Sequence, residues 1–147
     1  MAGGFSEQGE GKALGSLQGL PMRFRIGVAA AADMVGKVLV TTNRSGMEAS
    51  GSGRMYPNQP RQSSAPGNYP AVQSGQLLGS VDYAVQGMWL EFGSKGAFNN
   101  GFDYAIAQNQ GTSKMAARPF LELTVNKTKA KIESILGEVV WRKTIGG

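Results

Sequence analysis

The chain contains neither histidine nor cysteine. That removes the imidazole general base, the Ser-His-Asp and Cys-His arrangements, and thiolate or His-rich metal sites. Asp, Glu, Lys, Tyr and Ser remain. Among the carboxylates, Glu7/Glu10, Asp82/Glu91 and Glu91/Asp103 are spaced to form a dyad or cradle a cation. Asp82 and Glu91 can face each other across a hairpin, where acids also serve solubility. No glycine run joins a strand to a helix in the manner of a phosphate-binding loop. Tyr83, Trp89, Phe92 and Tyr104 offer a stacking platform for single-stranded nucleic acid, or else the core that three short strands require. Arg44, Arg54 and Arg61 stand against one acid, Glu48, in a segment rich in Gly and Pro. The reading is therefore non-enzymatic, with no cofactor and no metal.

These residues need elements to position them. At 147 residues the chain suits one domain, and its 22 glycines mean that part of it is loop or arm. Met1 to Gly19 carries six glycines and too little apolar surface to offset its ordering entropy, so residues 1–20 are expected to be a flexible arm. It has no apolar signal-peptide region, and no later stretch reaches the ~18 apolar residues of a membrane span. From Pro21, which suits a first helical turn, the residues Phe24, Val28, Ala31, Val35, Val38 and Leu39 fall on one helical stripe. The run Ala29 to Ala32 lets another element approach closely, or simply favours helix.

Asn43 to Gly75 is punctuated too densely for a helix and predicts a long loop over 43–75. It reads either as a basic flap reaching a neighbour or DNA, or as a solvated loop. Ser80 to Gln86 and Met88 to Ser94, with Gly87 between, predict a β-hairpin, and Phe102 to Gln108 a third strand joined by the Lys95 to Gly101 turn. After Pro119, the residues Leu121, Val125, Thr128, Ile132, Ile135 and Val139 line a second helix. The expectation is an α+β domain over 21–147: a small antiparallel sheet of about three or four strands, with both helices packed on one face. The net charge of +5 suits nucleic acid, an acidic protein surface, an anionic membrane, or plain solubility.

Two segments carry a resemblance. The first runs Ser64-Ala65-Pro66-Gly67-Asn68-Tyr69-Pro70-Ala71 into Ser74-Gly75-Gln76-Leu77-Leu78-Gly79-Ser80-Val81. The second is Tyr104-Ala105, then Gly111-Thr112-Ser113-Lys114-Met115-Ala116-Ala117-Arg118-Pro119-Phe120-Leu121. In order and spacing they resemble the tail-component family of head-tail joining proteins in long-tailed bacteriophages, over roughly Ser64 to Leu136. Two positions depart: Ser74 stands where the family has Thr, and Asn109 where it has Glu. Glu91-Phe92-Gly93-Ser94 mimics the second motif but sits too early.

The resemblance implies a structural virion protein of the neck, a tail-completion subunit assembled in the host cytoplasm. Such proteins form a homo-oligomeric ring, generally a hexamer, between the head connector or stopper and the tail terminator or tube. Genomic DNA passes through the lumen without sequence-specific binding. Residues 1–20 and Asn43 to Ala71 are then the docking elements. Arg44, Arg54, Arg61, Pro66, Tyr69 and Arg118 are the interface candidates, and Gly75, Leu77, Tyr104, Gly111, Thr112, Pro119 and Phe120 the structural motif. Arg118 can bind a neighbouring carboxylate or carbonyl, or cap loops within its own subunit. The alternative is a basic nucleic-acid-binding module built on Arg44, Arg54, Arg61 and the sheet aromatics.

Overall fold

The computed structural model describes residues 21–51 and 53–145; the expected arm, 1–20, lies outside them. In chain order the elements are helix α1 (Pro21–Ala49), a short helix α2 (Gln76–Ser80), strands β1 (Val81–Gln86), β2 (Trp89–Ser94), β3 (Phe98–Asn99) and β4 (Phe102–Asp103), then helices α3 (Tyr104–Gln110) and α4 (Phe120–Thr144). The fold is α+β, with two helices carrying small antiparallel sheets.

The two long helices run antiparallel. Gly27 near the start of α1 lies against Val140 and Lys143 near the end of α4, while Asn43 reaches Thr124 near its beginning. Gly27 and Ala31 allow the close approach, and Ala31, Val35 and Leu39 bury against Ile135, flanked by Ile132, Val139 and Val140. On α1 the expected stripe is the buried one, and it continues through Asn43 to Met47. The helix extends to Ala49, seven residues into the expected 43–75 loop, which therefore begins at Ser50. Met47 is 1% exposed, and burying it outweighs the ~1 kcal/mol cost of Gly46 in a helix.

On α4 the first two turns face inward on Phe120, Thr124 and Thr128, whereas Val125, expected in the core, is 45% exposed. A buried polar group sets this rotation. Asn43, fully buried on α1, donates through Nδ2 to the Phe120 carbonyl (3.0 Å) and to Thr124 Oγ1 (2.9 Å). A buried amide demands partners, and its NH2 group finds them in the Phe120 carbonyl and Thr124, while Thr128 Oγ1 donates back to the Thr124 carbonyl.

The β1–β2 hairpin has the register Val81↔Ser94 to Gln86↔Trp89, closed by Gly87-Met88. Its inward face, Tyr83, Val85, Leu90 and Phe92, lies mainly on α1, and α4 packs along α1 beside it. Two strands about 5 Å apart are roughly as wide as one helix, so they cannot seat two helices side by side.

The third strand, expected over Phe102 to Gln108, is not formed as such. Asn100-Gly101, both at positive φ (51° and 79°), close a separate hairpin, β3–β4, in the manner of a two-residue primed turn. Asp103 then caps α3, its carboxylate accepting from the N–H groups of Ala105 (3.0 Å) and Ala97 (3.1 Å). The alternation in Tyr-Ala-Ile-Ala-Gln is too short to separate strand from helix, and the cap decides for helix.

Candidate functional site

The two segments that carry the resemblance meet in space through residues 50 and 54 positions apart in sequence. Arg118 donates through Nε to Ser64 Oγ (2.8 Å) and through Nη2 to the Ser64 carbonyl (2.9 Å). Gly67 N–H donates to the Ala117 carbonyl (3.0 Å). The guanidinium fork thus joins the loop over 50–75 to the segment over 111–119. Of the two roles open to Arg118, the geometry shows the capping of its own subunit's loops.

The other structural residues fall into place around that junction. Pro119 precedes α4 and delivers Phe120, 0% exposed, into a core with Val40, Met47, Leu77, Val81, Ala97 and Ala105. Gly75 (φ 84°) opens α2 and Gly111 (φ 79°) ends α3, both in the left-handed region that other residues avoid. A Cβ at Gly111 would also meet the Ala117 backbone nitrogen at 2.8 Å. Thr112 forms a tight turn, its N–H donating to the Met115 carbonyl and its Oγ1 accepting from Lys114 N–H. Tyr104 packs on the core while its hydroxyl donates to Gln76 Oε1 at 3.3 Å. Ser74 and Asn109 are each engaged through a side-chain oxygen. Ser74 Oγ accepts from Gln76 N–H, and Asn109 Oδ1 accepts from Leu121 N–H at the start of α4.

The interface candidates divide. Arg44 sits on α1 and donates to the Val81 carbonyl (3.2 Å), fixing the start of β1. Tyr69 lays its ring on Gly46 and shares a hydrogen bond with Thr124 (3.0 Å), while Ser50 Oγ donates to its carbonyl. These two are tied into the subunit. Arg54, Arg61 and Pro66 are exposed. Arg54 stands over the Tyr56 ring at 5.2 Å, and Arg61 is held through its backbone by both ends of the Gln73 amide.

Among the described residues, two of the candidate carboxylates, Asp82 and Asp103, are engaged by other partners. Register sets Asp82 opposite Gly93 and Glu91 opposite Ala84, so the two acids are diagonal on the outer face, and Asp82 pairs with Lys95 instead. Lys95, with the Tyr83 backbone N–H behind it, holds that carboxyl below the usual range. Asp103 is committed to its cap, and Glu7/Glu10 lie outside the described residues. Among the described residues, no three His, Cys, Asp or Glu side chains are grouped to hold a metal ion, and no helix is long and apolar enough to cross a membrane. Nor do the four aromatics share a platform. Tyr83 and Phe92 face inward, Trp89 points away at 78% exposure, and Tyr104 belongs to α3.

A polar ladder docks the hairpin on α1. Tyr83 OH donates to Asp33 Oδ1 (2.6 Å), whose other oxygen takes Lys37 (2.7 Å). Lys37, then Tyr83, hold the Asp33 carboxyl below its ordinary value, while hydrogen bonding to Asp33 raises the Tyr83 phenol. A depressed carboxylate stabilises the fold above its unfolded pKa and loses that contribution as the pH falls through the folded value. Asp33→Asn is therefore expected to lower the urea midpoint at neutral pH. The gap to the parent chain should hold above about pH 5 and close as the pH falls below about 4. A gap undiminished near pH ~2 would assign the effect to hydrogen-bond acceptance regardless of charge.

Between the loop over 50–75 and the segment over 111–118 lies a cleft of about 280 Å³, lined by residues that include Tyr56, Gln59, Gln73, Gln108, Lys114 and Arg118. Sequence reasoning did not single out Gln59, Gln108 or Lys114. It also passed over Asn43, although continuing the stripe Val35-Leu39 by four residues lands on it. No family model, no curated protein and no solved structure matches this chain.

Proposed function

We propose that the chain is a structural subunit of a phage neck, a tail-completion protein that assembles as a ring between head connector and tail, with DNA passing through its centre. The observation that carries the reading is the meeting of the two motif segments. Arg118 of one is forked onto Ser64 of the other, and both frame the launch of α4. A shared spatial unit gives the combined motif a physical reason that two unrelated matches would lack.

Surface chemistry supports it. Met22, Ile26, Trp141 and Ile145 are exposed where α1 begins and α4 ends, and Phe98, Phe102 and Ile106 are exposed toward the opposite end of the helix pair. Two unlike apolar surfaces on one subunit suit head-to-tail contacts, the kind that close rings. The competing nucleic-acid module is weakened by the dispersal of the aromatics and by the placement of Arg44 on another element.

Native mass spectrometry of the full chain is expected to show a closed ring, six-fold by the resemblance, alone or with tails added. DNA binding by gel shift is expected to be weak, sequence-independent and abolished by moderate salt. A strict monomer that binds oligonucleotides at nanomolar concentration in physiological salt would overturn the reading in favour of the nucleic-acid module. Within the neck reading, residues 1–20 and the loop carry docking. A chain lacking 1–20 that joins heads to tails at the full rate in vitro would remove that role from the arm.

A further inference from the structure

The β1–β2 hairpin has two outer edges, and they differ. Gln86 and Trp89 flank its two-residue turn, so the pairs that exchange hydrogen bonds are Gln86↔Trp89, Ala84↔Glu91 and Asp82↔Gly93. The backbone groups of Val81, Tyr83 and Val85 therefore point off one edge, and those of Leu90, Phe92 and Ser94 off the other. On the β1 edge, side chains answer them. The Val81 carbonyl accepts from Arg44 (3.2 Å), and the Tyr83 N–H donates to Asp82 Oδ1 (2.8 Å). On the β2 edge, the N–H and C=O groups of Leu90 and Phe92 have no partner among the described residues. An open edge of this kind is a template for one more strand.

The surface next to that edge is apolar and half covered. Tyr83 of β1 stands on Gly36 and Asp33 of α1, whereas Leu90 and Phe92 of β2 pack on the cluster that α1 shares with Ile135 of α4. β2 is thus the strand beside α4. On that helix Val125, Ile132, Leu136 and Val140 recur at helical spacing. Val125 is 45% and Leu136 42% exposed, and Ile132 and Val140 are half-buried. One strand more on the β2 edge widens the sheet over this stripe. A second hairpin does not fit there, because it would bring a helix of its own into the layer that α4 already fills.

The chain itself offers the strand. Residues 1–20, outside the described ones, join α1 at Pro21. Val81 lies by Arg44 and Tyr83 by Gly36, so the hairpin runs toward the start of α1, and its turn lies toward the point where these residues attach. A segment that enters α1 from alongside β2 is antiparallel to it. Twenty extended residues span up to about 66 Å, and the six of β2 about 20 Å. The sequence alternates: Gly9, Gly11, Ala13, Gly15 and Leu17 are small or apolar, while Gln8, Glu10, Lys12, Ser16 and Gln18 are polar, with Leu14 the exception. A period of two turns a thin apolar face to α4 and a charged one to solvent, and the glycines let the backbone come close.

We propose that residues 8–18 add to the open edge of β2 as a third antiparallel strand, covering the α4 stripe of the same chain. The contact belongs to the single subunit and does not rest on the neck reading. A segment too poor in apolar surface to order by itself borrows that surface from Leu136 and its neighbours.

Amide hydrogen exchange of the full chain, labelled with nitrogen-15, reads the edge residue by residue. The Leu90 and Phe92 N–H groups are expected to exchange at least tenfold more slowly than in a chain lacking residues 1–18, while Glu91, whose N–H points to β1, changes little. A full-length variant carrying Ala13→Pro and Leu14→Pro loses a donor on each edge of the added strand and should lose the protection. Leu136→Lys, which sets a charge under the strand, should weaken it; Met34→Lys, at a comparably exposed site on α1, should not. Equal rates in the full and truncated chains, or protection that survives the double proline variant, would overturn the strand. An unchanged rate in Leu136→Lys would overturn its place over α4. Protection that rises with protein concentration would give the edge to a neighbouring copy and overturn the contact within one chain.

Discussion

Phe120→Ala should remove roughly 3–5 kcal/mol of stability, the range for deleting a fully buried aromatic ring. The ring is 0% exposed and shares its core with residues of α1, α2, β1 and α3, which belong to separate elements and cannot all close in on the space it leaves. With a urea slope of about 1–3 kcal/mol/M, the midpoint should fall by more than about 1 M. Val125→Ala on the same helix serves as the control. Val125 is 45% exposed, and its truncation should cost under about 0.5 kcal/mol. Equal costs at the two positions would mean that α4 does not present the Phe120, Thr124, Thr128 face inward.

The second large effect reverses what propensity alone suggests. Gly36 lies in the middle of α1, and Gly→Ala at such a position ordinarily gains about 1 kcal/mol. Here a Cβ would stand 2.1 Å from Tyr83 Cδ2 and 2.4 Å from Cγ. The base of the ring cannot swing aside cheaply, because the Tyr83 hydroxyl is anchored on Asp33 of the same helix. Overpacking of this kind costs about 1–3 kcal/mol or more, so Gly36→Ala should be net destabilising. In a Tyr83→Ala background the same Gly36→Ala change should cost little, and the non-additivity of the pair measures the contact. A stabilised Gly36→Ala chain would show that the hairpin does not rest on α1 at this point.

Much of the architecture was legible from local pattern. The apolar stripe from Phe24 to Leu39, the hairpin about Gly87, and the helix launched by Pro119 each follow from a period or a punctuating residue that acts within a few positions. What misled was equally local. Gly46 looked like the end of a helix because the residue that rescues it, Met47, stabilises only by burial against elements over sixty positions downstream in part, such as Phe120. Tyr104 to Gln108 looked like a strand because the deciding contact, Asp103 capping Ala105, is a hydrogen bond and not a hydropathy signal.

The site shows the same division. By itself the sequence excluded imidazole and thiolate chemistry outright, since absent residue types cannot be restored by folding. It also marked Arg118, Pro119 and Phe120, Gly75 and Gly111 as positions with a special backbone or packing task. Tertiary structure alone decided that Arg118 is forked onto Ser64, that Asn43 meets Thr124 of α4, and that Gln59, Gln108 and Lys114 line one cleft. The physical reason is that hydropathy periods report only which face of an element is buried. Pairing between polar groups fifty to eighty residues apart is directional, and the chain must be folded before those directions exist.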